Sequence, residues 1–462
     1  MTKEFYFVST ILIRVFNNKI NNNKSGGIIM KRIIFILLSS MIILAGCSGF
    51  KTNSKNENKS SNNTEKIVLD FWTFWGSEER RPVIDKIIKD FNESQDEIEV
   101  KHTYIPWGDI WTKNLAAIAA GDPPDVIIND INSVKLRAEK GQIEPLTDFV
   151  DKSVTDQFYP QMMNASMNDD EIYALPFNSD TQILFYHDDQ LKEVGLEEAP
   201  NTWEDMTHYA NQLDIPSENG KGFDRIGFYP LIGPGADLWI SNALGDNYVN
   251  EDGKISVTDK KVHDAFEWII ESQQKYGKKN LDSVNAKFEN AQQDPFMAGD
   301  ISMMVQNANY YVELRNYAKD LDFKVAPLPE KSEGSGHNSV GGGFVAEIPK
   351  GAKNPEASYK FIEYLTGYDA QLYWAENNFD LVANKASSEA AIESDSFNEK
   401  DKEVYHMMVE NMDDTILAVQ PIGAPDYKNS INPIFEKIIN GSLSIDEGLI
   451  QADNELKRQF KK

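Results

Sequence analysis

The order of apolar and polar positions changes period repeatedly along this chain. IVLDFWTFWG, 67–76, is a short apolar run ending in Gly76, which predicts a buried strand followed by a loop. RPVIDKIIKDFNESQ then places Val83, Ile84, Ile87, Ile88 and Phe91 at the spacing of one helix face. IEVKHTYI predicts a second strand, and DIWTKNLAAIAAG a helix closed by Gly121. Pro124-Asp125 leads into VIIND, a third strand. Strands alternating with helices predict parallel α/β layers.

The pattern continues less regularly. LPFNSDTQILFYH predicts a loop entering a strand, and NTWEDMTHYANQL a helix capped by Thr202 with Asp205 at capping-box distance. NEDGKISVTD has the start of a calcium loop but lacks the later acidic ligand, so Asp252-Gly253 predicts a hairpin turn. FMAGDISMMVQNANYYVELRN predicts a turn, a strand and a helix start. The Gly/Ser-rich LPEKSEGSGHNSVGGGF predicts a crossing between lobes, and GAKNPEASYKFIEYLTG a further helix. Beyond Asp380 the pattern is helical to Lys462, apart from VQPIGAPDY.

Ahead of the periodic region, Lys31-Arg32 precedes an apolar run, Ile33 to Ile43, and the small residues of Leu44-Ala45-Gly46. Charge, short apolar core and small-residue site make 30–46 a secretory signal, too short to span a bilayer. The cysteine that follows, Cys47, is the only one in 462 residues. A cysteine directly after Leu-Ala-Gly resembles a bacterial lipobox, in which that residue is lipidated and begins the mature protein. With no second cysteine, disulfides, thiol catalysis and cysteine metal sites are excluded. Residues 1–29 precede a complete signal and are expected to lie upstream of the true start, Met30. Residues 47–65, nearly all Ser, Asn, Lys and Glu after the cysteine, form a flexible tether.

Lys and Arg number 46 against 73 Asp and Glu. The first 46 residues hold six of the basic and one of the acidic side chains, leaving 40 against 72, a net charge of −32. That balance argues against nucleic acid and anionic membrane surfaces as partners. About 400 folded residues exceed what one core supports, so two lobes are expected.

Chemical signatures are scarce. There is no G-x-S-x-G, H-E-x-x-H, P-loop or G-x-G-x-x-G, and the six histidines lack ligand spacing. No metal, cofactor or catalytic residue is expected.

Five stretches carry a resemblance: FWTFWG; NLAAIAAGDPPDVII; YALPFNSDTQILFYHDDQLKEVGLEEAPNTWEDM; FMAGDISMMVQ; and GGGFVAEIPKGAKNPEASYKFIEYLTG. In this order, over nearly 400 residues, the chain resembles the extracellular solute-binding proteins of ABC importers, the carbohydrate-type family that includes maltose-binding protein. His187 stands where that family has Asn, and Ser302 where it has Ala. The resemblance implies an α/β, two-lobed periplasmic-binding-protein-like fold of type II, with hinge crossings and the ligand in the cleft between lobes. One lobe would hold 66–177 plus 342–380, the other 178–341 plus 381–462. The partners implied are a sugar, the permease transmembrane subunits with their cytoplasmic ATPase, and a membrane reached through the lipid on Cys47. The protein itself would be a monomer on the outer face of the cell membrane.

A sugar presents apolar C–H faces and a ring of hydroxyls, and calls for flat aromatics and planar polar side chains. The family's ligand loops fall on such residues: Phe74, Trp75 and Glu78 after the first strand, Tyr104 and Trp107 after the second, Asn129 and Asp130 after the third. The resemblance adds Asn178, Ser179 and Asp180, then Trp239, Asn309, Tyr310 and Tyr427. Gly342 and Gly343 would let backbone amides approach the ligand. Trp72, Trp203, Trp268 and Trp374 are expected in the core. With no Arg or Lys cluster in these loops, a neutral oligosaccharide is favoured over glycerol phosphate. The alternatives are a surface-anchored glycan-acting enzyme using a cleft carboxylate pair, and an adhesin without a deep cleft.

Overall fold

The structure, a computed structural model, describes residues 66–218, 222–287 and 294–461. The signal, Cys47, the tether and the question of the true start lie outside the described residues. Among those described, no helix is long and apolar enough to cross a membrane.

The larger sheet is built from β1 (Ile67–Thr73), β2 (Ile98–Tyr104), β3 (Val126–Asp130), β4 (Ala174–Ser179), β9 (Gly343–Glu347) and β10 (Leu381–Val382), in the order β10-β4-β9-β3-β1-β2. Between β1 and β3 run α1 (Arg80–Ser94) and α2 (Ile110–Ala120). Helix α1 buries Val83, Ile84, Ile87, Ile88 and Phe91, the face its spacing predicts. Helix α2 ends at Gly121, which takes the left-handed conformation (φ 74°) open to a residue without Cβ. The parallel arrangement expected from the first three strands and their helices holds for β3, β1 and β2. β9 runs antiparallel to both β3 and β4, and β10 antiparallel to β4. These later strands are joined by long excursions through other elements, which carry no crossover signature that fixes direction.

The smaller sheet has β5 (Gln182–Tyr186) between β6 (Met303–Asn307) and β7 (Lys324–Ala326), both antiparallel to it. Around it pack α4 (Trp203–Leu213), α5 (Ala236–Leu244) and α6 (Lys260–Tyr276), with α12 (Lys428–Ile439) and α13 (Ile445–Gln459). Trp203 stacks on Trp268 with ring centroids 4.4 Å apart, inside this second core. Thr202 and Asp205 close a reciprocal capping box on α4. The expected turn at Asp252-Gly253 is present, with Val249 bridged antiparallel to Ile255.

The two sheets belong to two lobes, and the chain passes between them three times. It leaves the larger sheet at Asp180-Thr181, after β4, rather than at the expected 177/178 boundary. It returns at Gly342, between β8 (Ser339–Gly341) and β9. The expected boundary at 380 gives way: β10 joins the larger sheet, and α10 (Lys385–Ile392) packs on α9 (Tyr368–Asn378) beside it. The last passage comes through β11 (Thr415–Leu417), which pairs in parallel with β8. Strands this short interrupt a helical pattern without leaving a period of their own. Where the passages meet, Thr181 Oγ1 lies 3.1 Å from Ser339 Oγ and 2.7 Å from Thr415 Oγ1, and accepts from Asn411 Nδ2 at 2.5 Å. All four side chains are buried, so a hydroxyl and amide network ties the three crossing segments together.

Candidate functional site

One edge of the larger sheet collects most of the expected loops. The carboxyl ends of β1, β2, β3 and β4 and the start of β9 all lie there, because β9 runs against β3 and β4 with Phe344 opposite Asp130 and Gly343 opposite Ser179. Ligands of open α/β sheets sit beyond such strand ends. Phe74 from the first loop and Trp107 from the second meet edge-on at 4.7 Å. Trp111 joins Trp107 at 4.6 Å, and Phe344 joins Phe74 at 4.8 Å and Trp107 at 5.5 Å. Trp107 remains 52% exposed, an unusual amount for so large an apolar ring. Tyr104 is also exposed and packs on Gly76, where an added Cβ would come within 2.3 Å of its ring. Glu78 is exposed.

Trp111 and Phe344 are absent from the expected set. Trp111 follows Trp107 at helical spacing, and Phe344 follows three glycines, so each carried a signal. Only the antiparallel entry of β9 brings Phe344 to the β1 loop.

At the hinge, Asp180 accepts the Gly342 amide at 2.8 Å. Burial pushes its carboxyl above the usual carboxylate range, against the pull of that amide and of the Asn307 side chain; Asp130 adds its negative charge. Burial raises Asp130 too, although the Asn132 amide donates to it at 2.6 Å. The charge of Asp130 thus reaches Asp180, while Asp130 itself is drawn the other way by Arg137. Gly342 is close to Asn132, whose Nδ2 would lie 3.0 Å from an added Cβ.

Across the hinge, Asn309 and Tyr310 follow β6, whose last residue Asn307 is opposite Gln182. With Gln306, Asn307, Glu313 and Asp294 they line a cavity of about 610 Å³. Among the described residues, no Lys or Arg lines it.

Several expected contacts are instead structural. Trp75 is 1% exposed and packs between Phe177 and Trp374 at 4.8 and 4.3 Å. Trp239 is 0% exposed and donates Nε1 to the Pro230 carbonyl. Tyr427 is buried against Tyr248. These three rings are core residues, with no face to offer a ligand. Turn residues beside them suggested exposure, but aromatic side chains at loop edges also fill the core beneath. Asn129 donates to Glu347 at 2.7 Å and accepts the Asp130 amide. Asn178 donates to Asp380 and accepts the Phe344 amide, and Ser179 Oγ donates to the Gly342 carbonyl at 3.0 Å. All three are buried, and their polar atoms hold strand ends in place. Gly343 likewise serves the backbone: at φ 140° an added Cβ would sit 2.1 Å from the Asn178 carbonyl.

Two cations near the cleft, Arg80 and Lys135, are already paired. Arg80 makes two hydrogen bonds of 2.8 Å to Asp380, which also accepts from Trp374 Nε1. Lys135, on α3 (Val134–Glu139), pairs with Glu251 of the other lobe at 2.5 Å. Far from the cleft, His263, Asp264 and Glu267 lie close enough to share an ion, but Lys260 and Lys331 already neutralise Asp264.

Comparison with known proteins agrees with this architecture. The glycerol-3-phosphate-binding periplasmic protein of Brucella abortus is 22% identical over 395 residues, 81% of this chain and 88% of its own. The arabinooligosaccharide-binding protein of Bacillus subtilis is 23% identical over 350 residues, covering 73% of this chain and 77% of its own. The solved structure of the sugar-binding protein MalE from Xanthomonas citri superposes with a TM-score of 0.71 at 20% identity, over 86% of this chain and 98% of that one. It has the same two-lobed, periplasmic-binding-protein-like fold. The family model for bacterial extracellular solute-binding proteins matches residues 86–402, from α1 to the first turn of α11 (Glu399–Glu410), and this chain belongs to that family.

Proposed function

We propose that this protein is the lipid-anchored substrate-binding subunit of an ABC importer, capturing a neutral oligosaccharide between two closing lobes and delivering it to permease subunits driven by a cytoplasmic ATPase. The observation that carries the reading is the aromatic group of Phe74, Trp107, Trp111 and Phe344, in which the half-buried rings hold Trp107 open to solvent beside polar hinge groups. Rings of this kind stack on the C–H faces of pyranoses, while Asp130 and Asp180 supply hydrogen-bond acceptors for hydroxyls. A phosphate ester such as the ligand named for the Brucella relative asks for a free guanidinium or ammonium, and Arg80 is committed to Asp380. Three crossings at one hinge support interlobe capture, since hinge closure around a ligand is the motion that periplasmic binding proteins as a class exemplify.

Calorimetry against malto-, xylo-, galacto- and manno-oligosaccharides tests the proposal. Saturable binding of one series is expected, and recovery of the saccharide intact separates a receptor from a glycan-acting enzyme. Failure of every series, with glycerol 3-phosphate binding instead, overturns it. The anchor is tested separately: Cys47→Ser is expected to move the protein from the membrane fraction to the medium, and continued membrane retention counts against lipidation.

A further inference from the structure

The loop that carries Phe74 is tied to a line of polar side chains running from α1 across β2 to the end of β1. Phe74 joins the aromatic group while its neighbour Trp75 fills the core, so the turn between them fixes where the rings stand. Thr73 holds that turn. Its Oγ1 accepts the Trp75 amide at 3.1 Å, and its carbonyl accepts the Ile105 amide at 2.9 Å, which joins the first ligand loop to the second. Thr73 Oγ1 also lies 2.7 Å from His102 Nε2, and His102 Nδ1 lies 3.1 Å from Asp85 Oδ1 on α1. An ionised carboxylate only accepts, so Nδ1 carries the hydrogen and Nε2 is bare. The Thr73 hydroxyl therefore donates to Nε2 while its oxygen accepts from Trp75. The parallel register allows this, since His102 is opposite Phe71, two residues before Thr73 on the same face of β1. Hydroxyl, imidazole and carboxylate in this order also activate the nucleophile of many hydrolases. Here Thr73 is 0% exposed and its oxygen is taken by the Trp75 amide, so the line ends on backbone and meets no substrate.

We propose that Asp85, His102 and Thr73 are positioning residues for the β1 ligand loop, and that the loop is set for binding only while His102 is neutral, so that saccharide affinity falls in mild acid. This rests on the saccharide reading above. A protonated imidazole carries a hydrogen on both nitrogens. Nε2 then donates instead of accepting, and the Thr73 hydroxyl hydrogen loses its acceptor in a side chain that bulk water does not reach. The surroundings favour the neutral ring. Its side chain is 5% exposed, with Phe71 6.1 Å away between ring centroids. Burial lowers His102 below the ordinary 6.5; Asp85 on α1 and Asp70 on β1 pull it back up, and Arg81 on α1 adds to the lowering. Asp85 is half exposed and shared with Arg81 at 3.4 Å, so its pull is screened. Beside His102 on β2, Lys101 pairs with Glu99 at 3.6 Å.

The test is calorimetry on the full chain, from neutral pH down to about pH 5, with whichever malto-, xylo-, galacto- or manno-oligosaccharide binds. Affinity should fall several-fold, and by no more than about thirtyfold at about pH 5, the limit for one proton on an imidazole of ordinary pKa 6.5. Asp130 and Asp180, both raised by burial, also respond to acid, so the quantity read is the difference between parent and variant. His102→Phe keeps a ring against Phe71 but removes the acceptor, and should weaken binding several-fold at neutral pH. His102→Gln restores an acceptor that takes no proton; it should recover part of that loss and lack the acid fall due to His102. Asp85→Asn, at an exposed position, removes a charge that favours the imidazolium and should move the acid fall to lower pH. A role in packing alone would change affinity without moving this profile. An acid fall unchanged in His102→Gln, or unmoved in Asp85→Asn, overturns the positioning line and leaves the saccharide reading standing. If no sugar binds, the saccharide reading falls, and the line is judged on the ligand-free chain by acrylamide quenching of Trp107, taken as the difference from Trp107→Phe. Quenching that changes with acid in the parent but not in His102→Gln supports it, and equal change in both overturns it.

Discussion

Trp107→Ala separates the site from the fold more cleanly than any other single change. The ring is 52% exposed, so roughly half of an aromatic side chain's ~200 Å² is already buried, about 100 Å². At about 25 cal/mol per Å², removing it costs the fold at most about 2.5 kcal/mol. The ring meets Phe74, Trp111 and Phe344 edge-on, and the Phe74–Phe344 pair at 4.8 Å persists without it. If the free face stacks on a sugar, truncation should weaken binding by about 1–3 kcal/mol, or about 5- to 150-fold. Trp107→Phe should recover part of that loss. Urea titration measures the stability term and calorimetry with the saccharide found in the panel measures affinity. Unchanged affinity in Trp107→Ala, with a folded protein, refutes the stacking role and removes the main support for the aromatic platform.

Three other changes probe the frame around the site. Arg137→Ala strands Glu347, which is 0% exposed and bound to Arg137 at 2.6 Å, so a loss of about 3–5 kcal/mol in chemical unfolding is expected; a change under about 1 kcal/mol would mean that water replaces the guanidinium. Asp180→Asn keeps an acceptor for the Gly342 amide and removes a carboxylate whose folded-state pKa burial raises above 3.8. Such a group favours the folded state below the ordinary carboxylate range and loses that contribution as pH rises through its raised folded value. The variant should therefore gain Tm over the parent at neutral pH and gain less in mild acid, and an identical pH profile would contradict the raised value. Lys135→Ala breaks the pair between α3 and the smaller lobe's 250–253 turn. Because Glu251 is partly solvated, the shift toward an open form should be worth no more than about 1 kcal/mol, seen as a larger radius of gyration in ligand-free scattering; an unchanged radius would show that the pair does not bias closure.

Local signals survived folding where one short segment decides the outcome. The α1 face, the Gly121 stop and the Thr202 capping box each depend on residues within a few positions, and each is found where its spacing puts it. The two-lobed architecture was legible only through the resemblance of five ordered stretches, since no local period contains it. Strand direction in the larger sheet was not legible, because β9 and β10 return after long excursions and their pairing is a long-range choice. The same limit governs the aromatic residues. Trp107 and Trp239 both stand near turn residues, yet one is 52% exposed and the other 0%. What separates them is whether a second layer covers the loop: Phe228, Trp203 and Trp268 surround Trp239, whereas Phe74, Trp111 and Phe344 leave half of Trp107 uncovered.

The hinge shows how a glycine run can be read for the wrong reason. Three consecutive glycines at 341–343 suggest a backbone left bare for a ligand. Each added Cβ would instead meet the protein: the Asp180 carbonyl at 2.1 Å for Gly341, Asn132 Nδ2 at 3.0 Å for Gly342, and the Asn178 carbonyl at 2.1 Å for Gly343. The glycines therefore let two crossing segments lie against each other, and that close approach presents the Gly342 amide to Asp180. With this amide engaged, Asp180 can remain at the cleft floor beside Asp130 without a cation of its own. The carboxylates that a saccharide would meet are thus positioned by the packing of the hinge. A bulkier residue at Gly341 or Gly343 should disturb ligand affinity and lobe closure together, because the same contacts set both.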